Sequence, residues 1–272
     1  DMVVFGESWL CGYPMWIDSY SGASLWENEK VKTIFSEMHQ NAISITGTAM
    51  SRLCHMAKSK NLTICLGFTE KVTKGPGNGT LFNSMVIIGA NGNILNHHRK
   101  LVPTFNEKLL YGPGDAWGLK TVDLPWGSMG GLICWEHWMP LSRQALHNEN
   151  ETIHLSLWPT LKDMHQVASR HYAFEGRCFV VAVGQVLRKT DIPEKYWSLI
   201  QVPENEWVLN GGSCIIDPSG NFLIEPRFNI EEIIYYTIED LQKPIREKMT
   251  LDVTGHYNRW DIFNFNYTQK RV

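Results

Sequence analysis

Four side chains of this 272-residue sequence have types and settings that could do chemistry. Cys134 closes the apolar run Gly130-Gly131-Leu132-Ile133 and is followed by Trp135-Glu136-His137-Trp138-Met139-Pro140-Leu141. The pattern reads as a strand, a turn, and a helix with Pro140 in its first turn, where proline is tolerated. A side chain at such a junction can project into a cleft while nearby backbone N–H groups stay free to bind an anion. That suits a thiolate nucleophile with an oxyanion pocket, although a cysteine taken alone is more often a small buried hydrophobe. Glu7 ends the apolar run of residues 2–6 and is a fair candidate for a base, with a solvated turn residue as the ordinary reading. Lys100 and Glu107 lie in Asn96-His97-His98-Arg99-Lys100-Leu101-Val102-Pro103-Thr104-Phe105-Asn106-Glu107. By residue type alone, Arg99 and Lys100 would be solvated charges and Glu107 a surface residue.

Other chemistries find less support. There is no G-x-S-x-G elbow, H-E-x-x-H pair, Walker loop or G-x-G-x-x-G fingerprint. Gly75-Pro76-Gly77-Asn78-Gly79 lacks the Lys-Ser/Thr and following helix of a phosphate loop and reads as a plain loop. His97 and His98 are adjacent, so in an extended segment they face opposite sides and cannot chelate one ion; no metal site is expected. Lys+Arg 25 against Asp+Glu 28 leaves a net charge of −3 and no basic stripe, which argues against a nucleic-acid partner. The longest apolar stretch, residues 179–183, falls well short of the ~18 residues of a membrane span, and no secretory signal opens the chain. Six scattered cysteines without a C-x-x-C pair read as free thiols in a reducing cytoplasm.

The elements that must position these residues follow from apolar spacing. Val31, Ile34, Phe35 and Met38, and again Met50, Leu53, Cys54 and Ala57, repeat at i, i+3, i+4, i+7 and predict two amphipathic helices, with Cys54 on a core face. Further helices are expected over 141–147 and 164–175. Strands are expected over 2–5, 62–66, 85–88, 132–134, 152–157, 179–183, 214–216 and 233–237. Residues 87–95 and 215–223 echo one another as strand, glycine-bearing turn and returning strand, so each predicts a hairpin. Strands interleaved with helices indicate an α/β architecture. Two similar halves, each a sheet with helices on one face, would stack as an α-β-β-α sandwich of two sheets with helices outside. No Pro/Gly-rich linker divides them, so residues 1–272 are read as a single domain.

Compared with known families, the chain resembles the nitrilase superfamily of carbon–nitrogen hydrolases, and within it the nitrile-hydrolysing branch. Glu7 in Gly6-Glu7-Ser8-Trp9, Lys100 in His98-Arg99-Lys100-Leu101-Val102-Pro103-Thr104, and Cys134 in Cys134-Trp135-Glu136 match that family's Glu-Lys-Cys triad in order and context. Glu107 matches a second glutamate that joins it. Phe82-Asn83-Ser84, Tyr172-Ala173-Phe174-Glu175-Gly176-Arg177, Gly211-Gly212-Ser213 and Gly255-His256-Tyr257-Asn258-Arg259 extend the match along nearly the whole chain. Glu136 followed by Met139-Pro140-Leu141 resembles nitrilases, whereas amidases and carbamoylases, the alternative, more often carry aspartate there. Cys11, Pro113, Trp117 and Trp260 depart from the family pattern near the expected pocket mouth or the tail, which bears on substrate range and assembly.

The resemblance implies a nitrilase that converts an organic nitrile to the acid and ammonia through a Cys134 thioimidate and thioester, without a cofactor. It implies that Lys100 lowers the pKa of Cys134 and, with the Trp135 N–H, stabilises the negative nitrogen, that Glu7 is the base, and that Glu107 holds Lys100. Tyr13, Tyr111, Trp135, Trp158 and Pro159 fall where similar enzymes approach substrate, and core packing is their alternative. Self-association into a dimer or a longer spiral is also implied, with the aromatic tail around Tyr257, Trp260, Phe263, Phe265 and Tyr267 as one candidate surface. Relatives carry a further strand and helix ahead of the Glu7 strand, so the natural protein is expected to be longer by about one βα unit.

Overall fold

The fold is described by a computed structural model covering residues 1–202 and 206–271. Strands β1 (Met2–Val4), β2 (Thr63–Lys71), β3 (Leu81–Ile88) and β4 (Ile94–Arg99) form one sheet in that order. The β1–β2 pair is parallel and the others antiparallel. Helices α1 (Trp16–Ser19), α2 (Glu29–Asn41) and α3 (Thr48–Lys60) lie between β1 and β2 in the chain. Asn28 caps α2 by accepting from the Lys30 and Val31 amides. Asn61 ends α3 in the left-handed region at φ 50°.

The second sheet has seven strands. These are β5 (Val122–Leu124), β6 (Gly127–Ile133), β7 (Ile153–Leu157), β8 (Phe179–Val183), β9 (Val186–Arg188), β10 (Trp207–Ile216) and β11 (Phe222–Phe228). The order is β11-β10-β8-β7-β6-β5, with β9 also paired to β10. Helices α4 (Pro140–His147) and α5 (Asp163–Gly176) make the crossovers that the parallel pairs β6–β7 and β7–β8 require. A short α6 (Lys243–Glu247) precedes the tail.

Residue alternation builds the layers. In the four-stranded sheet, Ile64, Leu66, Phe68, Val86 and Ile88 pack with Met50 and Ala57 of α3. Cys65, Met85 and Ile87 point the other way, into a cluster shared with Met129, Leu155 and Leu157. In β6, a Cβ at Gly130 would stand 3.3 Å from Leu146 of α4, whereas one at the next residue, Gly131, would stand 2.9 Å from Met85. The two faces of that strand therefore meet a helix and the opposite sheet. The result is the expected α/β sandwich, two stacked sheets with helices outside. With both faces covered, β3 and β7 bury even their polar residues Asn83, Ser84, His154 and Ser156.

Both predicted hairpins form, pairing Ile87 with Asn96 and Ile215 with Ile224. Their turn glycines, Gly92 and Gly220, have φ of 84° and 80°. The halves are less alike than the echo suggested, four strands against seven. The strand expected over 233–237 is not one: the segment has no regular secondary structure, and Ile233 and Tyr235 are exposed. An apolar, β-branched composition cannot make a ladder without a neighbouring edge. The strand expected over 62–66 runs on to Lys71. Gly67, Thr69 and Glu70 ended its apolar pattern, yet all three are buried; the segment that follows β1 runs alongside, with the Gly67 amide donating to the Gly6 carbonyl and the Thr69 amide to the Leu10 carbonyl. A Cβ at Gly67 would lie 2.8 Å from the Glu7 Cα, so only glycine allows that approach.

Candidate active site

β6, between β5 and β7 in the second sheet, ends at Ile133 and delivers Cys134 at φ 55°. For a non-glycine residue this left-handed conformation costs on the order of 1–2 kcal/mol. Cys134 opens a 3₁₀ turn, Cys134–Trp138, and Pro140 then begins α4, as the sequence pattern predicted. Glu136 in that turn is buried and holds the elbow in place. Its Oε1 accepts from the Leu101 amide at 2.8 Å and its Oε2 from the Ile133 amide at 2.8 Å. The His98 Nε2 lies 2.9 Å from Oε2. Burial alone would raise the Glu136 pKa, but His98 and the two amides hold it below the usual value. One carboxylate thus joins the strand before Cys134 to the segment carrying Lys100.

Lys100, Glu7 and Glu107 form a buried group. Lys100 Nζ donates to Glu7 Oε1 at 2.7 Å and to Glu107 Oε2 at 2.7 Å and Oε1 at 3.0 Å. Burial would lower the lysine pKa, but the acidic groups of Cys134, Glu7 and Glu107 beside it outweigh that and keep the amine protonated. Glu107 also accepts from the Thr104 amide at 2.9 Å and the Tyr13 hydroxyl at 2.8 Å. Glu7 Oε1 takes a second bond from Asn83 Nδ2 at 2.7 Å, and Glu7 Oε2 is buried without a bond from these groups. Burial pushes the Glu7 carboxyl up to about 7, with Lys100 opposing and Glu107 reinforcing. Residue type alone made Lys100 a solvated charge and Glu107 a surface residue; both are about 1% exposed. Each carries a partner that removes the cost of an isolated buried charge.

The Cys134 thiol adjoins this group, and its state differs from the expected one. Burial raises its pKa well above the ordinary thiol value, Glu7 adds to the rise, and Lys100 only partly offsets it. The resting side chain is a thiol and not a lysine-stabilised thiolate. A neighbouring base must therefore take its proton as it reacts, and Glu7, the carboxylate that acts most strongly on it, is the one in position.

The expected lining residues divide. Tyr13 and Tyr111 reach the polar group: Tyr13 bonds Glu107, and the Tyr111 hydroxyl lies 3.0 Å from Thr69 Oγ1 and feels both glutamates. Trp135, on the 3₁₀ turn, is 52% exposed. The Trp158 side chain is fully buried, stacked on His137 and His165 and bonded through its indole N–H to Ser156. What Trp158 offers the site is its carbonyl, which accepts from the Glu7 amide at 3.3 Å. Half-buried Pro159 accepts from the Gln185 amide, and the Gln185 side chain donates to the Glu7 carbonyl. Residue reasoning missed the supporting roles of Asn83, Glu136 and Gln185. Asn83 and Glu136 do sit inside the quoted motifs, but nothing in their spacing shows which charge each holds. His97 and His98 face opposite ways, toward Glu70 and Glu136. Among the described residues no group of three or more His, Cys, Asp or Glu side chains could hold a metal ion.

Known proteins similar to this chain point to one family. A family model described as carbon–nitrogen hydrolase matches residues 1–246. An aliphatic nitrilase of Sinorhizobium fredii (strain HH103) is 32% identical over 265 residues, covering 97% of this chain and 83% of that protein. A bifunctional nitrilase/nitrile hydratase of Nicotiana tabacum is 32% identical over 268 residues, 97% of this chain and 75% of that protein. Among solved structures, a carbon–nitrogen hydrolase from Helicobacter pylori G27 superposes with a TM-score of 0.71 at 20% identity, covering 97% of this chain and 84% of that one. At that identity the last likeness speaks for the fold.

Proposed function

The chain belongs to the carbon–nitrogen hydrolase family, and on that premise we propose that it is a nitrilase working through a covalent intermediate on Cys134. It hydrolyses an organic nitrile to the carboxylic acid and ammonia. The observation that carries the mechanism is the buried Lys100 ammonium bonded to two carboxylates, Glu7 and Glu107, beside a cysteine in a left-handed elbow.

A nitrile carbon is a weak electrophile, so the reaction needs a soft nucleophile and a proton source for nitrogen. Glu7 takes the Cys134 proton as Sγ forms its bond to the nitrile carbon, and one C–N π bond becomes the nitrogen lone pair. The negative nitrogen is stabilised by Lys100 and by the Trp135 N–H and takes the proton from Glu7, which gives the thioimidate and frees the Glu7 carboxylate. Water, deprotonated by Glu7, adds to the thioimidate carbon, and ammonia leaves to give the thioester. A second water cleaves the thioester, releasing the acid and the thiol. Two waters are consumed for each nitrile. Glu107 and Asn83 position Lys100 and Glu7, and a neutral, apolar nitrile fits a slot walled by Tyr13, Tyr111 and the Trp158-Pro159 backbone.

A cytoplasmic location and self-association into a dimer or longer spiral belong to the same proposal. Six free cysteines support the first, and exposed Leu141 and Met164 at α4 and α5 support the second. No helix among the described residues is long and apolar enough to cross a membrane. The test is release of ammonia and carboxylate from a panel of nitriles and matching amides. Equal amounts of both products from nitriles are expected. Turnover of the amides alone would overturn the reading in favour of an amidase.

A further inference from the structure

A run of buried polar side chains outside the acid–lysine group ends on the catalytic elbow. The Tyr172 hydroxyl donates to Glu151 Oε2 at 2.6 Å, and Glu151 Oε1 lies 2.9 Å from His154 Nδ1. His154 Nε2 lies 2.9 Å from His137 Nε2, and His137 Nδ1 lies 2.6 Å from the Cys134 carbonyl oxygen. All four side chains are at most 2% exposed. His154 is stacked on the Tyr172 ring and His137 on Trp158, so the imidazoles cannot turn freely.

The direction of each bond follows from the last acceptor. A carbonyl oxygen only accepts, so His137 Nδ1 carries a proton and, in a neutral ring, Nε2 accepts. His154 must then donate from Nε2 and accept at Nδ1, which requires a proton between Glu151 and His154. Tyr172 supplies the bond on the other carboxyl oxygen. Burial drives the groups the same way: it lowers both histidines well below the usual range and raises Glu151 to about 8.

We infer that Tyr172, Glu151, His154 and His137 are positioning residues whose one-way hydrogen-bond chain fixes the Cys134–Trp135 peptide, so that the Trp135 N–H points at the atom that becomes negative. A trans peptide sets its N–H opposite its C=O, so holding the carbonyl from one side aims the amide on the other. Trp135 stands at the start of the 3₁₀ turn, where an N–H has no carbonyl of its own turn to bond. The left-handed Cys134 backbone would otherwise relax by rotating that same peptide. The inference deepens the nitrilase reading and rests on it.

The test compares wild type, His137→Leu and His137→Asn, in which the Asn amide can stand in for the Nδ1 donor. Nitrile turnover is measured beside alkylation of Cys134 by iodoacetamide, a reaction that builds no charge on a nitrile nitrogen. Loss of the chain should lower kcat in His137→Leu by about 10²-fold, with KM and the alkylation rate within a few-fold of wild type, and His137→Asn should regain most of the loss. A purely structural role would lower turnover and alkylation together, and that outcome, or undiminished kcat in His137→Leu, overturns the inference. Should His137→Leu fail to fold, the pair Glu151→Leu and Glu151→Gln reads the same chain, because the Gln amide can donate to His154 and accept from Tyr172. Glu151→Gln should then regain most of what Glu151→Leu loses, and equal loss in both overturns the inference. Wild-type protein that turns over no nitrile would instead overturn the nitrilase reading itself, a result separate from the behaviour of the variants.

Discussion

Cys134 keeps its proton at neutral pH because burial and Glu7 outweigh Lys100, so the protonation state of Glu7 governs whether the nucleophile can form. Burial raises Glu7 to about 7. Below that pH it is already protonated and cannot accept from the thiol; above it, it can. The value of kcat/KM should therefore fall as pH drops through about 7, approaching tenfold per unit. A flat profile between pH 5 and 8 in ammonia release would contradict this assignment. Replacing Cys134 by Ala should cut turnover by at least about 10⁴-fold without lowering the thermal midpoint, as read by circular dichroism. Lys100→Met should be nearly as damaging, and its effect should not add to that of Cys134→Ala, since the groups act as a unit. Full addition of the two losses would speak against a shared mechanism.

Among the elements, the elbow and the close approach of the Glu7 segment to β2 set the geometry. Gly67→Ala should lower stability by about 1–3 kcal/mol through overpacking and reduce kcat, because its Cβ would meet the backbone around Glu7. Urea unfolding and nitrile turnover check both effects, and a stable, fully active Gly67→Ala protein would show that the approach is looser than described. Much of this layer was legible in the sequence: the two helices at 3.6-residue spacing, both hairpins, and the strand–elbow–helix around Cys134. Less legible were short strands such as β9, which exist only because a neighbour offers an edge, and the continuation of β2 through Gly67, Thr69 and Glu70. Those residues look like a break until their partners are known. His154 was the overlooked signal, since a histidine within Ile153-His154-Leu155-Ser156-Leu157 sits in a fully buried strand and must find a hydrogen-bond partner there.

Across the whole molecule, Glu7, Lys100 and Cys134 come from the end of β1, the end of β4 and the end of β6, so the site straddles the two stacked sheets. Glu7 and Lys100 are 93 residues apart in the chain. Periodicity cannot report such a meeting, which is why residue type alone left Lys100 and Glu107 on the surface and only the family motifs brought them together. The tail divides along its length. Phe265 packs against the interior, the Tyr267 hydroxyl donates to the Leu119 carbonyl, and Arg271 pairs with Asp115. Tyr257 and Phe263 stay exposed. With exposed Leu141 and Met164, they leave apolar surface that self-association would cover. Light scattering at micromolar concentration should give a mass of two subunits or more, and a monomer alone would contradict the proposal.

The reaction turns on a covalent bond between the nitrile carbon and Cys134, which is read by mixing the enzyme with excess nitrile, quenching rapidly in acid, and measuring intact and peptide masses. An added thioimidate or thioester mass is expected on the peptide containing Cys134, absent from Cys134→Ala and longer-lived in Glu7→Gln. Nitrile turnover with no adduct on that peptide, or with the adduct on another of the six cysteines, would contradict it.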